Sequence, residues 1–129
     1  MNEHSFVRSI HQVLPGEIMK WKIHDNFAGG VPDAWYCGKS KPLFVEYKYQ
    51  KVPKKLDSRL KPNLSKLQEL WFDKLISNAH SSWVVVGTDQ GIVLIDNLAS
   101  IKNGILVKNI KYLTKKEYIQ KLLGEINNV

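Results

Sequence analysis

Cysteine occurs once in the 129 residues, at Cys37, which excludes an intrachain disulfide and any zinc site built from cysteines. Arginine is almost as scarce: of 19 lysine and arginine residues, only Arg8 and Arg59 are arginines. No apolar run approaches the roughly 20 residues that a membrane-spanning helix needs. The opening MNEHSFVRSIHQ has no apolar core of a signal peptide, so a cytoplasmic protein is expected. Internal repeats, low-complexity tracts and a linker able to split the chain are also missing. One compact domain over residues 1–129 is therefore the expectation.

What the chain does hold is 43% hydrophobic and 10% aromatic residues, enough to build a core. Its formal net charge of +7 points to an anionic partner without choosing one. Because nearly all of that charge is lysine, a nucleic-acid partner would be held by its phosphates. Bidentate reading of guanine favours arginine.

Hydropathy patterning gives a coarse order. Phe6, Val7, Ile10, Val13 and Leu14 fall on one face of a helix over residues 3–14, ended by Pro15-Gly16. In EIMKWKIH (17–24), Met19, Trp21 and Ile23 alternate with Lys20 and Lys22, the period of a half-buried strand. HDNFAGG (24–30) reads as a turn region, DAWYC (33–37) as a second strand and LFVEYKY (43–49) as a third. Residues 50–64, basic and with two prolines, read as a loop. Ser65 opens a helix to about Asn78 with Leu67, Leu70, Trp71 and Leu75 expected inward, and SWVVVGT and GIVLID form a hairpin. Residues 97–113 suggest a short turn and one more strand, and Thr114 to Glu117 form the capping box of a last helix. The order αβββαββα implies an α/β (α+β) fold. Cys37 is expected as a small core residue, and the four histidines have no metal-ligand spacing.

Three charged residues stand out. Glu46 and Lys48 are two apart on a strand and share a face with Phe44, which puts them at the border of the core. Asp33 starts the preceding strand, and a short antiparallel connection can bring it beside Glu46. Paired carboxylates repel unless a cation compensates, and magnesium is commonly held by one or two of them. Lys48 would then lie where an attacking water and a scissile phosphate meet. A surface ion pair beside a turn aspartate accounts for the same spacing.

The string Pro32-Asp33, twelve intervening residues and Glu46-Tyr47-Lys48 resembles the PD-(D/E)XK nuclease superfamily. GGVPDAWY, then LFVEYKYQ, then LSKLQELWFDKL is similar to its VRR-NUC branch and to stand-alone phage relatives of the Holliday-junction-resolvase type. The resemblance covers roughly residues 3–88. It implies a restriction-endonuclease-like core, a central mixed sheet flanked by helices. It further implies that Asp33, Glu46 and the backbone carbonyl of Tyr47 ligate Mg²⁺ or Mn²⁺, that Lys48 is the catalytic lysine, and that Gln68 lies against the site. An acidic residue of the first helix often completes such a site, and Glu3 is the one that fits. The simpler role for Glu3, favouring the positive end of its helix, is preferred here. Ser65-x-x-Gln68 is equally a helix capping box.

Lys51, Lys54, Lys55, Arg59 and Lys61, opposed only by Asp57, follow the E-x-K strand, with Lys66 beyond. They are placed to hold a phosphate backbone, with Lys22 a weaker contact; a solvated lysine-rich loop looks the same. The expectation is a metal-dependent endodeoxyribonuclease acting on branched or otherwise structured DNA as a homodimer. A less selective nicking or single-strand nuclease, a non-catalytic nucleic-acid-binding protein of this fold, and a scaffold kept soluble by lysine remain as rivals. Trp35, Trp71, Phe72 and Trp83 serve an interface or the core equally well.

Overall fold

The computed structural model describes residues 1–23 and 29–128. The turn expected over 24–30 falls within them only at Gly29 and Gly30, and His24 lies outside them. Helix α1 (Glu3–Val13) is followed by strands β1 (Met19–Lys22), β2 (Ala34–Cys37), β3 (Pro42–Tyr49) and the two-residue β4 (Arg59–Leu60). Then come α2 (Lys66–Ser77), β5 (Ser82–Thr88), β6 (Gly91–Ile95), α3 (Leu98–Asn103), β7 (Ile105–Leu106), a 3₁₀ turn and α4 (Lys115–Asn127).

The main sheet has the order β1-β2-β3-β5-β6. Its outer pairs β1–β2, β2–β3 and β5–β6 are antiparallel, and the central β3–β5 pair is parallel. A parallel pair needs a long crossover, which α2 supplies. This is the expected mixed sheet flanked by helices, with the expected αβββαββα order at its heart.

β5 is buried along its whole length, as a central strand covered on both faces should be. Its alternate residues enter two cores. Trp83 and Val85 join Tyr36, Val45 and Tyr47 under α1 and α4, which contribute Phe6, Val7, Ile10, Tyr118, Leu122 and Ile126. Val84 and Val86 join Val93, Ile95, Phe72 of α2 and Ile101 of α3 on the other face. Three helices begin with reciprocal capping boxes, Asn2 with Ser5, Ser65 with Gln68 and Thr114 with Glu117. Each satisfies orphan N–H groups of its first turn.

Several local expectations change. Leu67 and Leu70 are exposed and Trp71 is half-buried; α2 instead buries Phe72 and Leu75. The helix is rotated because its first turn is fixed by contact with the Gly29-Gly30 turn. Val13 is exposed at the last turn of α1, and all four residues of β1 are exposed because it is the sheet's edge strand. Cys37 is half-buried rather than fully in the core.

The loop over 50–64 contains β4, paired with β7 as Arg59↔Leu106 and Leu60↔Ile105. The turn near residue 97 is α3, with Asn97 accepting from the Ser100 N–H and Gly104 at φ +78° ending it. The strand expected over residues 105–113 shrinks to Ile105–Leu106. Phe72→Ala should cost about 3–5 kcal/mol of stability, and Leu70→Ala less than about 0.5 kcal/mol. Equal losses in urea denaturation would place the wrong face of α2 inward.

Candidate metal centre and nucleic-acid interface

The β2–β3 register pairs Ala34 with Val45, so the next step outward sets Asp33 opposite Glu46. Asp33 stays in the ladder through its side chain: Oδ2 accepts the Tyr47 backbone N–H at 3.0 Å. Its carbonyl accepts the Ile23 N–H at 2.8 Å, which carries the β1 edge to the same point. Gly30, at φ +86°, makes this approach possible. A Cβ there would meet the backbone of Leu67 and Gln68 at 2.5–2.7 Å, so the turn lies directly on the first turn of α2. The Trp71 indole N–H donates to the Gly29 carbonyl at 3.0 Å and locks the two together.

Glu46 is 1% exposed, deeper than the core border anticipated from its spacing. Gln68 Nε2 donates to Glu46 Oε2 at 3.1 Å, and Lys48 Nζ lies 3.5 Å from the same oxygen. The other oxygen, Oε1, is buried and has no hydrogen-bond partner among the described residues. Gln68 thus does both things its position allowed, since its Oε1 also accepts the Ser65 N–H at 2.9 Å as the helix cap.

Glu3, Asp33 and Glu46 each bring one carboxylate oxygen within 4.8 Å of the other two, with Glu3 on the open side. The first turn of α1 is therefore near the site, which the preferred helix-terminus role did not require. Burial pushes the Glu46 carboxyl up to about 9, the Asp33 charge adds to the rise, and Lys48 only partly opposes it. Glu3 is raised too, first by partial desolvation, with Lys48 lowering and Asp33 raising it. An oxygen-only donor set with an unpartnered buried carboxylate oxygen fits a hard divalent cation.

Of the basic residues, Lys22 adjoins the cluster, since it pairs with Ala34 next to Asp33, and Lys66 lies in the same first turn of α2 as Gln68. Lys51, Lys54, Lys55, Arg59, Lys61, Lys66 and Lys22 are all exposed. The loop carrying most of them is braced by Gln50, a residue the sequence reading passed over. Its Nε2 donates to the Lys61 carbonyl at 3.0 Å and its Oε1 accepts the Asn63 N–H at 2.7 Å. A polar residue directly after the E-x-K strand was the available signal.

Also unanticipated is a buried hydroxyl chain behind the site. His11 Nε2, Tyr36, Tyr47 and Tyr118 are joined by three contacts of 2.8 Å each. Desolvation holds all three phenols above their ordinary range. Tyr47 is thereby fixed by its ring on one face of β3 and by Asp33 at its N–H, between Glu46 and Lys48. Alternating aromatics on β2 and β3 hinted at a core face, but pairing of their hydroxyls depends on register.

The mixed sheet flanked by helices has a counterpart among solved structures. The fold is similar to that of Hjc, a Holliday junction resolvase from the archaeon Archaeoglobus fulgidus, which superposes with a TM-score of 0.50 over 93% of this chain and 96% of that one. Identity across the match is 10%, so it is the architecture that is shared. No family profile and no curated protein matches the sequence. Among the described residues no helix is long and apolar enough to cross a membrane.

The buried carboxyl has a signature in metal-free buffer. Between its ordinary value of 4.5 and about 9, the folded chain holds a proton at Glu46 that the unfolded chain has lost. Wild-type stability in EDTA should therefore fall as pH rises through that window. Glu46→Gln, which mimics the neutral acid, should remove that part of the slope, as read from urea midpoints at several pH values. An identical slope in both proteins would contradict the burial argument.

Proposed function

We propose that the chain is one divalent-metal-dependent endodeoxyribonuclease domain selective for branched DNA, of the Holliday-junction-resolvase type and similar to the VRR-NUC and phage branch. The observation that carries this reading is the convergence of Glu3, Asp33 and Glu46 beside Lys48 and Gln68, with one Glu46 oxygen buried and unpartnered. The likeness to the archaeal resolvase supports a fold suited to this chemistry.

Asp33, Glu46 and the Tyr47 carbonyl would hold the ion, with Glu3 joining from the open side. Mg²⁺ or Mn²⁺, when bound by these residues, would supply Lewis-acid chemistry toward a water and the scissile phosphate. Lys48 places an ammonium beside the cluster, where the phosphate gains negative charge in the transition state. Gln68 occupies one oxygen of Glu46 and leaves the other for the cation. Asp33, engaged with the Tyr47 N–H, keeps β2 and β3 in register so that the ligands stay in place. The lysines of the 51–61 loop, with Lys66 and Lys22, hold the backbone. A homodimer would present two such sites to a four-way junction, and sedimentation of the protein with and without junction tests that state.

The deciding experiment compares cleavage of a four-way junction, a flap, plain duplex and single-stranded DNA, each with Mg²⁺, Mn²⁺ or EDTA. Metal-dependent junction cutting is expected, lost by more than about 10³-fold in Glu46→Gln or Asp33→Asn. Lys48→Ala should bind junction normally and lose turnover. Normal cleavage by Lys48→Ala would remove the lysine from the mechanism, and equal cutting of all four substrates would remove the junction selectivity.

Neutralising Lys54, Lys55 and Arg59 together should weaken DNA binding and lower its dependence on salt. An unchanged salt slope would take the loop out of the interface.

A further inference from the structure

A second run of lysines has no place in the site described so far. Residues 98–116 hold Lys102, Lys108, Lys111, Lys115 and Lys116 and no acidic residue. Lys102 is paired with Asp73 at 3.1 Å. The other four are exposed, and none forms an ion pair among the described residues. Glu117, the next acid in the chain, is held by its own cap, with Oε1 accepting the Thr114 N–H at 2.9 Å.

The tertiary structure joins this run to the basic loop. β7 pairs with β4 inside the loop, the Val107 N–H donates to the Ser58 carbonyl at 2.9 Å, and the Lys108 N–H donates to the Leu56 carbonyl at 3.1 Å. Lys108 is thereby set next to the Lys54-Lys55-Leu56 segment despite lying more than 50 residues away in the chain. Leu113 exchanges both backbone hydrogen bonds with Ile92, which fixes the path of Lys111 and Thr114 along the β5–β6 hairpin. A groove of about 220 Å³ is lined by Met1, Phe6, Tyr49, Thr88, Leu113 and Lys115, so Lys115 borders the same groove as Tyr49 at the end of β3. That strand carries Glu46 and Lys48. Lys51 follows the end of that strand in the chain, and Lys115 borders the groove beside it.

We infer that Lys108, Lys111, Lys115 and Lys116 continue the loop into a single phosphate-binding belt, which holds a stretch of nucleic-acid backbone beyond the one at the loop. This rests on the DNA reading above. Like charges strung together along one rigid path repel one another, and a polyanion of regular spacing relieves that repulsion. Along the sequence no acidic residue interrupts Lys102 to Lys116, although in space Lys111 shares a pocket with Asp96 and Glu125. Lys41 at the β2–β3 turn, by contrast, is ion-paired with Glu125.

The test is fluorescence anisotropy of labelled junction and 30-base-pair duplex in Ca²⁺, across a salt series. It compares wild type, Lys108→Gln/Lys111→Gln/Lys115→Gln, and the charge-matched control Lys39→Gln/Lys41→Gln/Lys74→Gln. Each lost phosphate contact lowers the slope of log K against log salt by about 0.9. The belt variant should lose roughly two to three in slope and the control less than about one. Cleavage at saturating junction with Mg²⁺ should be unchanged in the belt variant while KM rises.

Equal slopes in wild type and belt variant, or an equal loss in the control, would overturn the belt and leave the loop interface standing. Absence of salt-sensitive DNA binding by wild type would instead overturn the DNA reading itself.

Discussion

A carboxylate buried to 1% exposure beside a second carboxylate is the constraint on which the rest of this structure depends. An uncompensated charge at that depth is strongly disfavoured, and Asp33 worsens it. The surrounding chain relieves only half of the problem. Gln68 and Lys48 both address Oε2, and among the described residues Oε1 has no partner. A buried oxygen of this kind is what the cation proposed for the site would engage.

Much of the architecture serves to hold that arrangement. The Gly30 backbone passes so close to Leu67 and Gln68 that no side chain fits, and this approach delivers Asp33 to one side of Glu46 and Gln68 to the other. The exposure of Leu67 and Leu70 has the same origin, because a helix fixed at its first turn against the glycines cannot also turn those leucines inward. Behind the site the phenols of Tyr36, Tyr47 and Tyr118 satisfy one another in a dry core, where each alone would be an unpaired polar group. They hold the strand between the candidate ligands without placing another charge near them.

The interface is organised differently. Gln50 ties the two ends of the 51–61 loop, and β4–β7 pairing joins that loop to the chain after α3. Backbone hydrogen bonds thus give a definite shape to a segment whose composition is that of a solvated loop. That shape fixes the positions of the lysines to which a phosphate backbone has been assigned in the proposed function.

The sequence by itself determined the elements and the chemistry on offer. The capping residues at Ser65 and Thr114, the apolar Trp83–Val86 run of β5 and the two-apart spacing of Glu46 and Lys48 are local properties, set by helix and strand periods that need no partner. The P-D turn and the E-x-K strand were legible for the same reason. Tertiary structure decided what depends on distance in space. It set Glu46 deep, because burial comes from α2 covering that face. It brought Glu3 to the cluster from the far end of the chain, and it split residues 97–113 into a helix, a short strand and a turn around Gly104. It also laid Lys108 beside Leu56. Such placements follow from strand register and helix docking, and those are settled only when both cores close around β5.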